Sequence, residues 1–145
     1  DIIYVGGGNV EFMMDTWKKT GADKALVEAY NSGKVMSGYS AGAVCWFDTG
    51  YDDCGPDHSF IFCDCLGILP YCACPHYESG NWQTFKTAIK SRPEKGVAIE
   101  NGAALIYVDG KYSTIRGNDG GDVWIIDKND EHNVSENSDY LNKIG

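Results

Sequence analysis

Three side chains with the chemistry of a serine hydrolase follow successive extended segments of the chain. Ser40 lies in Gly38-Tyr39-Ser40-Ala41-Gly42, and His76 and Glu100 each end a later extended segment. A serine hydroxyl is too weak an acid to attack an amide unaided, so it needs an imidazole to take its proton and a carboxylate to orient that imidazole. The residue types predict Ser40 as the nucleophile, His76 as the base and Glu100 as the acid that orients it.

The residues around Ser40 fit the G-x-S-x-G pattern of a nucleophile elbow. In such a strand-to-helix turn the serine has a strained backbone, and the flanking glycines keep neighbouring side chains away. The following helix would point N–H groups at a developing oxyanion. Because these residues are common, a small-residue turn that lets a helix pack on a sheet is the alternative. The order serine, histidine, acid differs from that of the α/β-hydrolases.

Strands and helices alternate along the chain, which predicts an α/β fold with three layers: a mostly parallel sheet, helices on both faces and an antiparallel meander at its edge. A first domain is predicted over residues 1–127, followed by a polar tail over residues 128–145 with a short helix near Tyr140. In the first part of the chain, the predicted elements are a buried strand 2–5, a helix capped by Asn9 that ends at Gly21, a helix 22–31 with Gly33 beyond it, a strand 34–38 and a loop 48–64. In the second part they are a helix 81–90, a strand 97–100 and meander strands 103–108, 111–116 and 122–126.

The composition argues against several classes of partner. The net charge is −9, from 12 basic and 21 acidic residues, which argues against nucleic acid. No apolar run reaches the length of a membrane span, so no membrane partner is expected. The pairs Cys63-x-Cys65 and Cys72-x-Cys74 differ from the usual zinc spacing and lie in extended sequence, which favours buried reduced cysteines in a cytoplasmic protein. No metal and no cofactor is predicted.

Four segments resemble one known family. The chain is similar to the peptidase E (aspartyl dipeptidase) family of serine peptidases, which includes the cyanophycinases and whose fold is like that of the class I glutamine amidotransferases. The resemblance runs from Ile2 to about Gly117. It rests on residues 4–9 (YVGGGN), 38–43 (GYSAGA), 67–77 (GILP…PHY) and 96–105 (GVAIENGAAL).

The resemblance assigns roles to individual residues. It implies that Ser40 is the nucleophile, that His76 is the base, and that the backbone N–H groups of Ala41 and Gly7 form the oxyanion hole. The third triad position aligns with Glu100 or, after a shift of one residue, with Asn101. Glu100 is preferred because a carboxylate serves this role better than an amide.

The chain departs from the family in two places. Aspartyl dipeptidases carry an arginine-rich segment after the catalytic histidine, whereas residues 78–85 contain no arginine, so a preference for N-terminal aspartate does not carry over. The family's βα units before the glycine turn are also absent. The exposed sheet would then need a homodimer partner or a missing N-terminal segment to cover it.

These features predict a serine peptidase that hydrolyses small peptides through an acyl-enzyme. One alternative is a non-catalytic member of the same fold that binds a small ligand or a protein. Another is amidotransferase-like thiol chemistry, for which Cys45 lies close to Ser40 in sequence.

Overall fold

The computed structural model describes residues 1–144, which divide into two compact units, the first running from Asp1 to Cys72 and the second beginning at Ala73. Gly145, the last residue of the predicted tail, lies outside the described residues. Both units combine strands and helices, so the expected mixed α/β class is confirmed. Among the described residues, no helix is long and apolar enough to span a membrane.

The first unit contains the elements that surround Ser40. In chain order they are β1 (Ile2–Val5), α1 (Val10–Thr20), α2 (Ala22–Asn31), β2 (Val35–Gly38), α3 (Ala41–Val44), β3 (Phe47–Asp52) and β4 (Ile61–Asp64), with a 3-10 turn at Pro56–His58 between the last two. Strand β5 (Leu69–Cys74) crosses the division between the units.

Helix α1 begins and ends where its capping residues predict. Asn9 Oδ1 accepts a hydrogen bond of 2.7 Å from the N–H of Phe12, which satisfies one of the free donors of the first turn. Gly21 adopts the left-handed conformation at φ 80° and ends the helix, and Gly33 does the same beyond α2 at φ 79°. The predicted helix boundaries are therefore confirmed.

Strands β1 and β2 pair in parallel, as expected, with Ile2 opposite Val35. The expectation that the first strand is fully buried is wrong, because Ile2 is 72% and Tyr4 64% exposed. An apolar run on its own cannot show whether a strand is covered on both faces. What covers this exposed surface stays a prediction.

Residues 48–64 form a β-hairpin, and their prediction as a loop is wrong. Strands β3 and β4 pair antiparallel, with Thr49 opposite Asp64 and Asp52 opposite Ile61. The polar residues that suggested a loop are partly buried: Thr49 is 4% and Asp52 4% exposed. Asp52 Oδ2 accepts a hydrogen bond of 3.0 Å from the N–H of Val10, the first residue of α1.

The second unit contains the elements that surround His76. They are α4 (Phe85–Ala88), which continues a 3-10 turn at Gly80–Thr84 and leads into another at Ile89–Ser91, then β6 (Gly96–Ile99), β7 (Ala103–Val108), β8 (Lys111–Arg116), β9 (Val123–Ile126), β10 (Glu131–Asn133) and α5 (Ser138–Ile144).

The last strands do not form the expected meander. Strands β7 and β8 make a separate two-stranded sheet, whereas β9 pairs antiparallel with β6, with Ile99 opposite Val123. The reason is the turn before β9, where the N–H of Gly121 donates a bond of 2.8 Å to the C=O of Asn101 and returns the chain to the end of β6. Turn signals identify where a chain reverses but not which strand it joins.

Strand β10 was not predicted from the sequence. It pairs antiparallel with β9, and Val134 directly after it is fully buried. Helix α5 covers the position of the short helix predicted near Tyr140. The proposed domain boundary after Asp127 stays a prediction.

Candidate active site

Ser40 occupies a strained turn between β2 and α3. Its backbone angles are φ 53° and ψ −124°, a conformation that a residue with a side chain rarely adopts and that clusters at functional sites. The turn is closed by hydrogen bonds of 2.9 Å from Gly42 N to Tyr39 O and 2.8 Å from Ala43 N to Ser40 O. The strand-to-helix elbow predicted from the sequence is therefore present.

The flanking glycines are required by close backbone contacts. A Cβ atom on Gly42 would lie 2.1 Å from the carbonyl oxygen of Val5, and one on Gly38 would lie 2.3 Å from the carbonyl oxygen of Gly42. Any side chain at these positions would force β1, β2 and α3 apart. The glycines thus serve helix–strand packing as well as the elbow. The interpretation of the pattern as a nucleophile elbow and its interpretation as a small-residue packing turn are therefore compatible.

The glycine turn after β1 lies against the elbow. A Cβ atom on Gly7 would lie 3.2 Å from Ser40 Cβ and 3.0 Å from Tyr39 Cε2. Ala41, the first residue of α3, is 1% exposed. The structure thus brings together three of the predicted site residues: Gly7, Ser40 and Ala41. Because α3 has only four residues, its dipole is weak, and individual N–H groups would have to stabilise an anion here.

His76 lies in the second unit, two residues after the end of β5. Its backbone is also left-handed, at φ 54°, in a turn closed by a 2.8 Å bond from Ser79 N to His76 O. The imidazole packs edge-on against the indole ring of Trp82, with 5.3 Å between the ring centroids. Its Nδ1 atom lies 2.6 Å from Oδ1 of Asn101.

The residue that contacts Nδ1 of His76 is Asn101, the alternative third position, whereas the predicted Glu100 carboxylate accepts hydrogen bonds from other groups. One Glu100 carboxylate oxygen accepts a 2.7 Å bond from the N–H of Asp122, and the other a 2.9 Å bond from Nε1 of Trp124. The carboxylate therefore fixes the chain where it enters β9. Successive side chains at a strand end point in opposite directions, so only one of residues 100 and 101 can face the imidazole.

Glu78 is a further residue of this site that the sequence analysis did not identify. Its Oε2 atom accepts a 3.0 Å bond from the backbone N–H of Asn101, and its Oε1 atom accepts a bond from the side-chain Nδ2 of the same residue. The only signal in the sequence is an acid two residues after the histidine, which is too common to single out.

The surroundings of Cys45 disfavour thiolate chemistry. Cys45 is fully buried, and burial raises the pKa of its thiol far above the usual range, so it stays protonated. Cys54 and Cys63 lie with their sulfur atoms 3.2 Å apart as free thiols. Within residues 1–144, no group of three or more His, Cys, Asp or Glu side chains could hold a metal ion.

The sequence matches peptidase family S51 over residues 1–115, a range that includes Ser40, His76 and Asn101. The chain belongs to this family. The resemblance to peptidase E is thereby confirmed.

Curated relatives are similar over most of this chain. The uncharacterized peptidase YgaJ of Bacillus subtilis (strain 168) is 36% identical over 141 residues, which are 94% of this chain and 60% of the relative. The uncharacterized peptidase Lmo0363 of Listeria monocytogenes serovar 1/2a is 33% identical over 113 residues, or 74% of this chain and 51% of the relative. The chain thus spans little more than half the length of these relatives.

Two solved structures support the same fold. A peptidase from an acI-B1 actinobacterium superposes with a TM-score of 0.67 at 18% identity, covering 94% of this chain and 57% of that one. A protein of Listeria monocytogenes EGD-e, provisionally assigned as peptidase E, superposes with a TM-score of 0.62 at 26% identity, covering 81% and 60%.

Proposed function

We propose that the whole protein is a serine peptidase that hydrolyses small peptides through an acyl-enzyme. Ser40 is the nucleophile, His76 is the base and Asn101 orients the imidazole. The observation that carries this proposal is the backbone of Ser40 at φ 53° and ψ −124°, because such strain persists only where the surrounding structure maintains it. Membership of peptidase family S51 supports the same conclusion.

The reaction follows from the roles of these atoms. Ser40 Oγ forms a bond to the substrate carbonyl carbon while its proton passes to Nε2 of His76. The N–H groups of Gly7 and Ala41 stabilise the negative charge on the carbonyl oxygen. The imidazolium then gives its proton to the departing amine as the C–N bond breaks. Water, deprotonated by the same imidazole, hydrolyses the ester and restores the serine hydroxyl.

Asn101 supports this chemistry as a hydrogen-bond acceptor. With Nδ1–H of His76 donating to Asn101 Oδ1 over 2.6 Å, Nε2 carries no proton and its lone pair can accept the serine proton. Cysteine peptidases of the papain type also use an amide in this position. An amide carries no charge, so it fixes the tautomer but stabilises the imidazolium less than a carboxylate does.

The substrates we propose are short peptides without a required N-terminal aspartate. The segment after His76, residues 78–85, carries Glu78 and no arginine, so it supplies no cation for an acidic side chain. We also propose the three-layer fold of the class I glutamine amidotransferases, supported by the parallel pairing of β1 and β2 and by the elbow that follows β2. The six free cysteines favour a reducing, cytoplasmic location.

The test is hydrolysis of a dipeptide panel by the whole protein and by two variants. Ser40→Ala should abolish cleavage of Ala-X, Gly-X and Asp-X substrates while circular dichroism shows the fold intact. Cys45→Ala is the matched control, since it also removes one heteroatom near the elbow, and it should keep most of the activity.

Other outcomes identify the alternatives. Full activity of Ser40→Ala with loss in Cys45→Ala would replace the serine mechanism by thiol chemistry. Peptide binding by the whole protein without turnover would favour a non-catalytic binding module instead.

A further inference from the structure

An asparagine side chain beside a catalytic histidine can adopt two orientations that differ in hydrogen bonding, whereas the two oxygens of a carboxylate are equivalent. The two ends of the Asn101 amide have nearly the same shape, but Oδ1 accepts hydrogen bonds and Nδ2 donates them. If Oδ1 faces His76, the imidazole carries its proton on Nδ1, and Nε2 is unprotonated and can act as a base. If Nδ2 faces it, the proton moves to Nε2 and the ring cannot accept the proton of Ser40.

Glu78 removes this ambiguity. A carboxylate at neutral pH only accepts hydrogen bonds, and Oε1 of Glu78 is bonded to Asn101 Nδ2. The donor end of the amide is therefore held at Glu78, and Oδ1 is left to face His76 at 2.6 Å from Nδ1. Turning the amide over would place its oxygen against the carboxylate, where the two would repel each other.

The backbone of Asn101 is fixed as well as its side chain. Its N–H donates to Glu78 Oε2 over 3.0 Å, and its C=O accepts from Gly121 N over 2.8 Å. Glu78 thus holds one residue at two points, through the main chain and through the amide. The position of Oδ1 is determined from both sides, which makes the arrangement more than a chance surface contact.

Glu78 itself is placed by the turn at His76. The left-handed backbone of His76 and the 2.8 Å bond from Ser79 N to His76 O fold residues 76–79 into a tight turn. The carboxylate therefore reaches back to the residue that contacts the imidazole. A negative charge on the far side of the amide also polarises it, so that Oδ1 becomes a better acceptor for an imidazolium proton.

We propose that Glu78 is a positioning residue that sets the tautomer of His76 through Asn101, forming a carboxylate–amide–imidazole relay. This inference rests on the proposed role of His76 as the base. In the relay, position 101 carries no charge. The negative charge is supplied by Glu78, which acts on the imidazole through the Asn101 amide.

The direct test is the tautomer of His76, observed by 15N NMR of imidazole nitrogens in the whole protein. At about pH 8.5, His76 should show a protonated Nδ1 and an unprotonated Nε2. A His76→Gln variant identifies its signals among the three histidines. In Glu78→Ala the amide can turn, and the two nitrogens should move toward averaged shifts.

Activity provides a second readout. Glu78→Ala should lower kcat/KM by about tenfold, mainly through kcat, because a general base acts in the transition state. Glu78→Gln keeps one acceptor for the amide and should lie between Glu78→Ala and the native protein. Glu136→Ala, which removes an exposed glutamate paired with Arg116 elsewhere in the same unit, is the matched control and should change neither readout.

The outcomes separate this inference from the proposed function. An unchanged His76 tautomer in Glu78→Ala would overturn the relay even if the protein is an active peptidase. A tautomer that depends on Glu78 in a protein that cleaves no peptide would support the relay and refute the proposed reaction.

Discussion

Nδ1 of His76 lies 2.6 Å from Oδ1 of Asn101, so the group that contacts this nitrogen is an amide rather than a carboxylate. The carboxylate of this cluster, Glu78, lies on the other side of the amide. Glutamate and glutamine have almost the same shape, as do aspartate and asparagine. Two substitutions can therefore exchange the groups of the relay, placing the carboxylate at position 101 and the amide at position 78.

The exchange gives the first prediction. Asn101→Asp alone should lower kcat/KM, because it brings two carboxylates into contact and removes the donor that Glu78 accepts from. Combining it with Glu78→Gln should restore activity, since the glutamine can donate to the new carboxylate.

In the double variant the acid limb of the pH profile of kcat/KM should also move to higher pH, because an adjacent carboxylate favours the imidazolium and the base form is needed. Measurements of kcat/KM from about pH 5 to 9 across both single variants and the double variant check this. Strictly additive effects of the two substitutions would contradict the pairing.

Gly42→Ala should destabilise the protein by about 1–3 kcal/mol, as expected for overpacking against atoms that cannot move freely. The new Cβ would lie 2.1 Å from Val5 O and 2.7 Å from Gly6 O, both of them backbone atoms. Gly6→Ala is the control, since nothing lies within 4 Å of its Cβ, and it should change stability by less than about 0.5 kcal/mol. Urea unfolding midpoints measure both, and equal midpoints would show that the elbow tolerates a side chain.

Asp52 should make stability depend on pH. Burial raises its pKa above the ordinary 3.8, although the hydrogen bond from Val10 N–H opposes this. Because the folded-state pKa is the higher one, the stabilisation by protonated Asp52 is complete below about 3.8 and is lost as pH rises through the folded-state pKa.

The Asp52→Asn variant has no ionisable side chain at this position, so it should not lose this stabilisation as pH rises. The free energy of unfolding of the variant, relative to the native protein, should therefore rise with pH over this window and then level off. Urea titrations at intervals from about pH 3.5 to about pH 8 measure the difference. A difference independent of pH would mean that Asp52 titrates alike in the folded and unfolded states.

The parts of the fold that the sequence predicts are those governed by neighbouring residues. The cap at Asn9, the left-handed Gly21 and Gly33, and the elbow at Ser40 each follow from a few adjacent positions. Their conformations depend on sterics and on hydrogen bonds within one turn, so a short pattern is sufficient to identify them.

The features of the fold and of the site that the sequence could not determine depend on contacts between distant residues. The choice between Glu100 and Asn101 depends on which way β6 is rotated when it pairs with β9, and a shift of one residue exchanges the two side chains. The hairpin of β3 and β4 was missed because Asp52 is buried and bonded to Val10, which lies 42 residues earlier. The sequence contains no local sign of either partnership.

The segment beyond Asp127 provides the last prediction. Tyr77, which is 6% exposed and adjacent to His76, donates a 2.5 Å hydrogen bond to Oε1 of Glu131 on β10, and Lys86 pairs with the other oxygen. Tyr77→Phe keeps the buried ring and removes this one bond, so it should lower the free energy of unfolding by about 1 kcal/mol. The expected loss is smaller than for a fully buried hydrogen bond to a charged group, because Lys86 still pairs with Glu131 in the variant.

Tyr4→Phe is the control, because the Tyr4 side chain is 64% exposed, and it should be neutral in the same urea titration. If residues 128–144 were only a loosely attached tail, Tyr77→Phe would be equally neutral. A measurable loss that disappears when Glu131→Ala is already present would instead show that β10 is an integral part of the unit that holds His76, since two substitutions that remove the same bond are not additive.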